Sequence, residues 1–406
     1  MSNILNIKNP IKFDNSISKI EYHSYAPFLT SYESSDEIRI GVQNQDLYLL
    51  PSESFLQIEG TLKNANSADN KPLTGTYLSN NVVAYLFDEI RYELNGIEID
   101  RNKHTGFTTS LKNYISLSPN ASDMLYKAGW NVKDNHISTS NGHFEFCVPL
   151  AILLGFTEDY KKIMLNAKHE LVLMRSRLDD NSIISTVPAE KVKLKITKVQ
   201  WHMPHVTVAD EEKLKLLKVV SSGHSIKMNF RSWDMYEYPI LPETNQHTWT
   251  IKTSNQLEKP RYVIFALQTD RKNSVVKDAS QFDHCELSDI KVFLNSEKYP
   301  YNDLNIKYHR DQYTLLYDMY TKFQQSYYEN NSNQPMLTWK SFKSDAPIVV
   351  IDCSRQNESI KTGPVDVKLE MKFSSNLKAK TTGYCLLLHD RIVEYNPLTS
   401  EVKKIT

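Results

Sequence analysis

Glycine is scarce: the chain has 11, and no two stand close enough to form G-x-G. That excludes the phosphate-cradling loop and the dinucleotide fingerprint, which need glycines for close backbone approach to phosphate. Cysteine is scarcer still, with Cys147, Cys285, Cys353 and Cys385 scattered and unpaired at short spacing. They read as free, mostly buried thiols in a reducing compartment, where the sequons at Asn120, Asn330 and Asn357 go unused. No apolar run approaches the roughly 20 residues a bilayer-spanning helix needs, so no membrane anchor is expected. Residues 1–20 lack the apolar core of a secretion signal. Neither charge sign is in excess, with 48 Lys+Arg against 48 Asp+Glu. A protein that neutralises phosphates carries a visible basic surplus, so direct nucleic-acid binding is not expected. Zero net charge also leaves little repulsion between copies.

What is abundant is alternation with period two. Ile38, Ile40 and Val42 alternate with polar or small neighbours, as do Leu56, Ile58 and Leu62, and Phe144, Phe146 and Val148. Val192, Leu194 and Ile196 repeat the pattern, and so do Val365, Val367, Leu369, Met371 and Phe373. Such strands have one face in a core and one in water. The apolar runs 262–267 and 348–351 read as strands covered on both faces. Asn95-Gly96 supplies the positive φ angles of a two-residue hairpin turn. The simple register pairs Leu94 with Ile97 and Tyr92 with Ile99, all facing the core with Ile90. Helical spacing is confined to a few places: residues 107–115, residues 123–128 before Gly129, and the stripe Tyr313, Leu316, Tyr317, Tyr320, Phe323, Tyr327. The stripe predicts a helix lying on its own sandwich.

The two halves repeat each other. Residues 87–95 (FDEIRYELN) parallel residues 287–295 (LSDIKVFLN) at an offset of 200, and Asn102 falls opposite Asn302. Element order agrees as well. Each half runs through two strands, the matched segment, a helix, and three further strands. The expected fold is therefore mainly β: two tandem jelly-roll sandwiches, residues 1–205 and 206–406, with a few short helices in the loops. The join is expected where the pattern breaks, between residues 204 and 214.

Few residues suggest chemistry. His202-x-x-His205 contains Pro204 and has no acidic or cysteine partner at ligand spacing, so it reads as a strand end entering the linker. Asp283-His284-Cys285 offers no nucleophile–base pair, because adjacent strand residues point to opposite faces. Lys191, Lys193, Lys195 and Lys198 form a solvated strand face. No catalytic, cofactor or metal site is expected. Trp233, Tyr236 and Tyr238, beside Arg231, form an aromatic cluster that reads as core or interdomain packing ahead of a ligand platform or a nucleic-acid stacking surface.

Segments 50–60, 87–101, 231–239, 257–269, 352–359 and 394–399 resemble those of double-jelly-roll major capsid proteins. The family is that of Polinton/Maverick-like DNA viruses and endogenous viral elements of invertebrates. The resemblance implies a structural, non-enzymatic protein whose partner is itself: a homotrimer of six sandwiches that tiles a shell, joined by minor capsid or penton proteins. It implies a virion location after assembly in the host cytoplasm or nucleus, without secretion. Trp233, Tyr236, Tyr238, Tyr327 and Tyr328 are the expected self-assembly contacts. Two other readings share the sandwich fold: a membrane-associated assembly scaffold, which would need a membrane-binding partner, and a carbohydrate-binding module.

Overall fold

A computed structural model describes residues 16–43, 48–64, 73, 75–187, 192–251, 260–328, 334–355 and 365–405. Lys191, the sequons at Asn330 and Asn357, and parts of the matched segments 257–269 and 352–359 lie outside the described residues.

Sixteen strands form the frame of two sandwiches, and the short strands Tyr48–Leu49 and Glu401–Ile405 each add a fifth strand to one sheet. The first holds β1 (Ile17–Tyr25), β2 (Glu37–Val42), β3 (Phe55–Asn64), β4 (Phe87–Leu94), β5 (Ile97–Lys103), β6 (His143–Pro149), β7 (His169–Arg175) and β8 (Val192–Val208). The second holds β9 (Ile226–Tyr238), β10 (Gln246–Ile251), β11 (Pro260–Thr269), β12 (Leu287–Leu294), β13 (Glu297–Tyr299), β14 (Val349–Asp352), β15 (Val367–Phe373) and β16 (Thr381–Asn396). In the first, one sheet runs β1-β8-β3-β6 and the facing sheet β2-β7-β4-β5. In the second the orders are β9-β16-β11-β14 and β10-β15-β12-β13. The two orders are the same once eight is added to each number. This is the jelly-roll order, present twice, as the alternating patterns predict.

The alternation fixes which face is buried. Along β2, Ile38, Ile40 and Val42 are buried while Glu37 is exposed. Along β15, Val367, Leu369, Met371 and Phe373 are buried, each at every second position. Residues Val263 to Leu267 of β11 are buried without interruption, as a strand covered on both faces requires.

Three expectations need correction. Each half begins one strand earlier than the sequence pattern shows, with β1 and β9. The hairpin forms with Asn95 at φ 51 and Gly96 at φ 79, but a bulge pairs Tyr92 with Asp100 instead of Ile99. Ile99 and Asp100 are consequently both buried, and Ile97 is 43% exposed. Last, β8 does not end at Pro204: it runs on to Val208, and the Pro204 carbonyl accepts the Leu50 N–H at 3.1 Å. A linker helix, Asp210–Ser221, comes directly after it.

The two hairpin asparagines share one pair of bonds, and Asn95 Nδ2 also donates to the Ser400 carbonyl at 2.9 Å. The Asn95 N–H donates to the Lys168 carbonyl (2.8 Å) and the Lys168 N–H returns to Asn95 Oδ1 (2.7 Å). At the 200-residue offset, Asn295 and Asp366 exchange the same two bonds at 2.9 and 3.0 Å. Asn295 also has positive φ, 55°.

The three longest helices among the described residues are α1 (Thr105–Ser116), α2 (Asp210–Ser221) and α3 (Thr314–Tyr328). Every residue of α1 is buried. Gly106 lies under the Tyr85 ring, where a Cβ would come within 2.1 Å of it. Helix α3 turns Leu316, Tyr320, Phe323 and Tyr327 inward, as the stripe predicts. It reaches beyond its own sandwich, however: the Tyr320 hydroxyl donates to the Tyr114 carbonyl of α1 (3.0 Å) and Gln324 to the Leu117 carbonyl (2.7 Å).

Candidate functional site

Each sandwich has two lateral sides, set by its sheet orders: β1/β2 and β5/β6 on the first, β9/β10 and β13/β14 on the second. The β5/β6 side of the first sandwich meets the β9 side of the second in a long seam. The short helix Gly155–Asp159, which follows β6, lies directly on β9. Gly155 makes this approach possible, since a Cβ there would stand 1.7 Å from the Arg231 carbonyl oxygen. Phe156 then meets Phe230 edge-on, with centroids 5.4 Å apart.

Several polar groups at the seam are paired. The Arg231 guanidinium grips both carboxylate oxygens of Asp159, and its Nη1 donates to the Tyr327 carbonyl at 2.6 Å. The same guanidinium lies 3.5 Å from the centre of the Tyr327 ring. Within the first sandwich, Lys112 of α1 holds Glu158 at the seam's edge at 2.7 Å and also donates to the Ala151 carbonyl at 2.9 Å. The Tyr327 hydroxyl donates to Glu158 at 3.1 Å. Asp100, turned inward by the hairpin bulge, accepts the Phe156 N–H (2.9 Å) and the Ser232 hydroxyl (3.2 Å). Burial raises the Asp100 pKa, and Arg391, 3.9 Å away, opposes the rise. Buried charges of this kind are tolerated only when paired and hydrogen-bonded. The arrangement clamps one sandwich to the other.

The expected contact residues divide accordingly. Trp233 and Tyr327 are only 4% and 5% exposed and stand 5.7 Å apart within the seam. Both are packed between the sandwiches of the single chain. Tyr236 and Tyr238 are half-buried further along β9, with Tyr238 edge-on to Trp249 at 5.7 Å. Tyr328 touches Tyr327 yet remains 46% exposed. Sequence pattern points to Arg231 but not to Lys112, Glu158, Asp159 or Asp100. No local signal marks those four, because their partners lie 46 to 132 residues away or across a bulge.

The two motifs that suggested chemistry are accounted for by packing. His202 stacks on Phe55 (4.7 Å) and meets Gln57 Oε1 at 3.0 Å. His205 contacts the Tyr25 hydroxyl at 2.8 Å and stacks on His23. Among the described residues, no group of three or more His, Cys, Asp or Glu is placed to hold a metal. Cys285 and His284 border a cleft of about 620 Å³ with Arg271, Lys343 and Lys378. Burial pushes the Cys285 thiol up to about 11. His284 Nδ1 accepts the Glu286 N–H at 3.1 Å and the ring stacks on Tyr308, while the Cys285 sulfur meets the Thr269 hydroxyl at 3.4 Å. Lys193 and Lys195 are exposed, and Lys198 pairs with Glu59 at 2.7 Å.

The family model for a double jelly roll-like domain matches residues 76–393. The chain belongs to the double jelly roll-like domain family. No match was found among curated proteins. Solved double jelly rolls agree in fold at low identity. The Sputnik virophage structure is 9% identical with a TM-score of 0.66, covering 100% of this chain and 92% of that one. The PBCV-1 virus capsid is 8% identical with a TM-score of 0.62 and 99% coverage of both chains. The mavirus major capsid protein is 10% identical with a TM-score of 0.57, over 98% and 92%. These structures match nearly end to end, so the overall fold is shared across both sandwiches. Among the described residues, no helix of this double jelly roll is long and apolar enough to cross a membrane.

Proposed function

We propose that this double jelly roll is a major capsid protein, a structural chain that assembles with itself into homotrimers of six sandwiches, which then tile a virion shell. The observation that carries the reading is the clamped seam: two sandwiches of one strand order are held side by side as a single block. A building unit of a shell needs that rigidity, because a hinge between sandwiches would leave the lateral sides without a fixed angle. The fold neighbours named as capsid and major capsid proteins support it. A division of the chain into two sandwiches belongs to the same proposal, with the join just past the expected 205–206, after β8 ends at Val208, and with α2 as the connection. Minor capsid proteins would join the assembled shell, which forms inside the host cell.

The zero formal charge favours self-association over phosphate binding. Trimer contacts in an obligate assembly bury more than about 2,000 Å². Mass photometry of the purified chain, followed by negative-stain imaging, tests the reading. A stable species of three chains with a six-lobed outline is expected. A monomer at micromolar concentration would overturn it.

A further inference from the structure

The cleft beside Cys285 lies apart from the seam, and every residue lining it belongs to the second sandwich. It opens at one end of that sandwich, where Thr269 pairs with Thr381 and Phe373 with Leu287, so the β11–β12 and β15–β16 links lie together. The short helix Trp339–Asp345 makes the third wall. Backbone bonds brace all three. The Phe282 N–H donates to the Asp345 carbonyl at 2.8 Å, and the Ser374 N–H to the Glu286 carbonyl at 2.9 Å. Phe282 and Leu377 are buried and anchor the lining to the core. On the wall, Cys285 and Glu286 hold φ of 47° and 55°, two adjacent non-glycine residues in the left-handed region. Such backbone is costly, and it concentrates where a fold shapes a ligand site.

The charge around the cleft is uneven. Arg271, Lys277, Lys340, Lys343 and Lys378 face it against only Asp283 and Glu286, in a chain whose formal charge is zero. Three of the five cations are engaged. Arg271 grips both oxygens of Asp283 at 2.8 and 2.9 Å, Lys277 meets Asp270 at 3.3 Å, and Lys343 meets Asp311 at 2.6 Å. Glu286 lies 3.5 Å from His284 Nδ1. The ammonium groups of Lys340 and Lys378 have no hydrogen-bond or ion-pair partner among the described residues. Burial lowers the His284 pKa, and the Lys343 and Lys378 charges add to this against Glu286 and Asp283, so the ring is neutral at pH 7.

Ammonium groups act as point charges and suit a tetrahedral oxyanion. The guanidinium fork that would select a planar carboxylate is already taken by Asp283. At about 620 Å³ the cleft has the size of a small-molecule pocket, with room beyond the oxyanion itself. Ser375 and Asn376, both exposed at its rim, offer a hydroxyl and an amide to an organic body. A nucleic-acid backbone would need a row of cations along its length, whereas one cleft fits one ester.

We propose that this cleft binds a small sugar ester of phosphate or sulfate, its oxyanion held by Lys340 and Lys378 and its hydroxyls by Ser375 and Asn376. The site goes beyond the capsid reading and does not depend on it.

Equilibrium dialysis of the full-length chain at low ionic strength tests it, with glucose 6-phosphate, glucose 6-sulfate, inorganic phosphate, inorganic sulfate and glucose as probes. One ester per chain is expected to bind, and the ester held more tightly identifies the oxyanion. Lys340→Gln with Lys378→Gln should weaken that binding at least about tenfold, as the loss of charge-assisted contacts requires. Lys213→Gln with Lys218→Gln removes the same charge from the exposed helix α2 and should leave binding unchanged. Circular dichroism verifies that both variants fold. The assignment is overturned if neither ester binds at millimolar concentration, if the inorganic ions or glucose bind as tightly as the esters, or if both variants lose binding equally. Unchanged binding in the Lys340 and Lys378 variant overturns it as well.

Discussion

His169 is fully buried on β7, its Nδ1 is 2.6 Å from the Tyr92 hydroxyl, and its Nε2 has no partner among the described residues. Burial lowers its pKa from 6.5 to about 3. The folded chain therefore keeps the ring neutral where the unfolded chain takes a proton. Its contribution to stability is complete above pH 6.5 and is lost as pH falls toward 3. Asp278 acts in the opposite sense. Burial raises its carboxyl from 3.8 to about 6, although Ser280 donates to it twice. That contribution is complete below pH 3.8 and is lost as pH rises through 6. Each group changes stability by at most about 1.4 kcal/mol per pH unit. Between pH 4 and 6 the two slopes offset each other. Urea unfolding across this range should show His169→Gln losing less stability in acid than the natural chain, and Asp278→Asn losing more. Equal slopes in all three proteins would refute both assignments.

At the scale of elements, the twin hairpins make a paired prediction. Asn95 and Asn295 both hold positive φ and both exchange two bonds with the neighbouring strand's start. Alanine at either place loses a side-chain acceptor and adopts a strained backbone, which should cost about 1–3 kcal/mol by chemical denaturation. The two losses should agree within about 1 kcal/mol. A large loss at one site and none at the other would show that the resemblance of the halves does not reach their hydrogen bonding. These hairpins were legible because a turn needs only adjacent residues. The bulge after Tyr92 was not: period-two reasoning counts residues evenly, and one extra residue turns Asp100 inward. Strands β1 and β9 were missed for a related reason. Nearly all of β1 is exposed, so its residues follow no buried-face pattern, and β9 is buried partly by the other sandwich.

For the whole molecule, the seam decides whether two sandwiches act as one block. Arg231→Ala leaves the Asp159 carboxylate partly buried without its cation, at a cost of about 3 kcal/mol, the lower end for a broken buried pair. Gly155→Ala forces a Cβ into the Arg231 carbonyl and must move the Gly155–Asp159 helix off β9. Differential scanning calorimetry should show one transition for the natural chain and two for Gly155→Ala, as the sandwiches uncouple. A single unshifted transition in both variants would mean that the seam adds nothing to the coupling. Helix α2 gives this scale a further measure: none of its residues is buried, so the linker itself does little to hold the halves together.

The amino-acid sequence alone determined that this is a mainly β chain with two like halves. Alternation, the Asn95-Gly96 turn and the 200-residue echo are all local or directly repeated patterns. The tyrosine stripe of α3 was legible on the same ground, since helical spacing shows within one segment. What only the tertiary structure decided is the seam. Arg231 and Asp159 lie 72 residues apart, and Ser232 and Asp100 lie 132 apart. Such pairs leave no periodic trace, because side chains from separate sandwiches meet only after each has folded around its own core. The same distinction sorts the tyrosines and tryptophans. Composition marks them all as contact-forming, but only packing separates Trp233 and Tyr327, enclosed between sandwiches, from Tyr22 and Tyr301, left facing solvent.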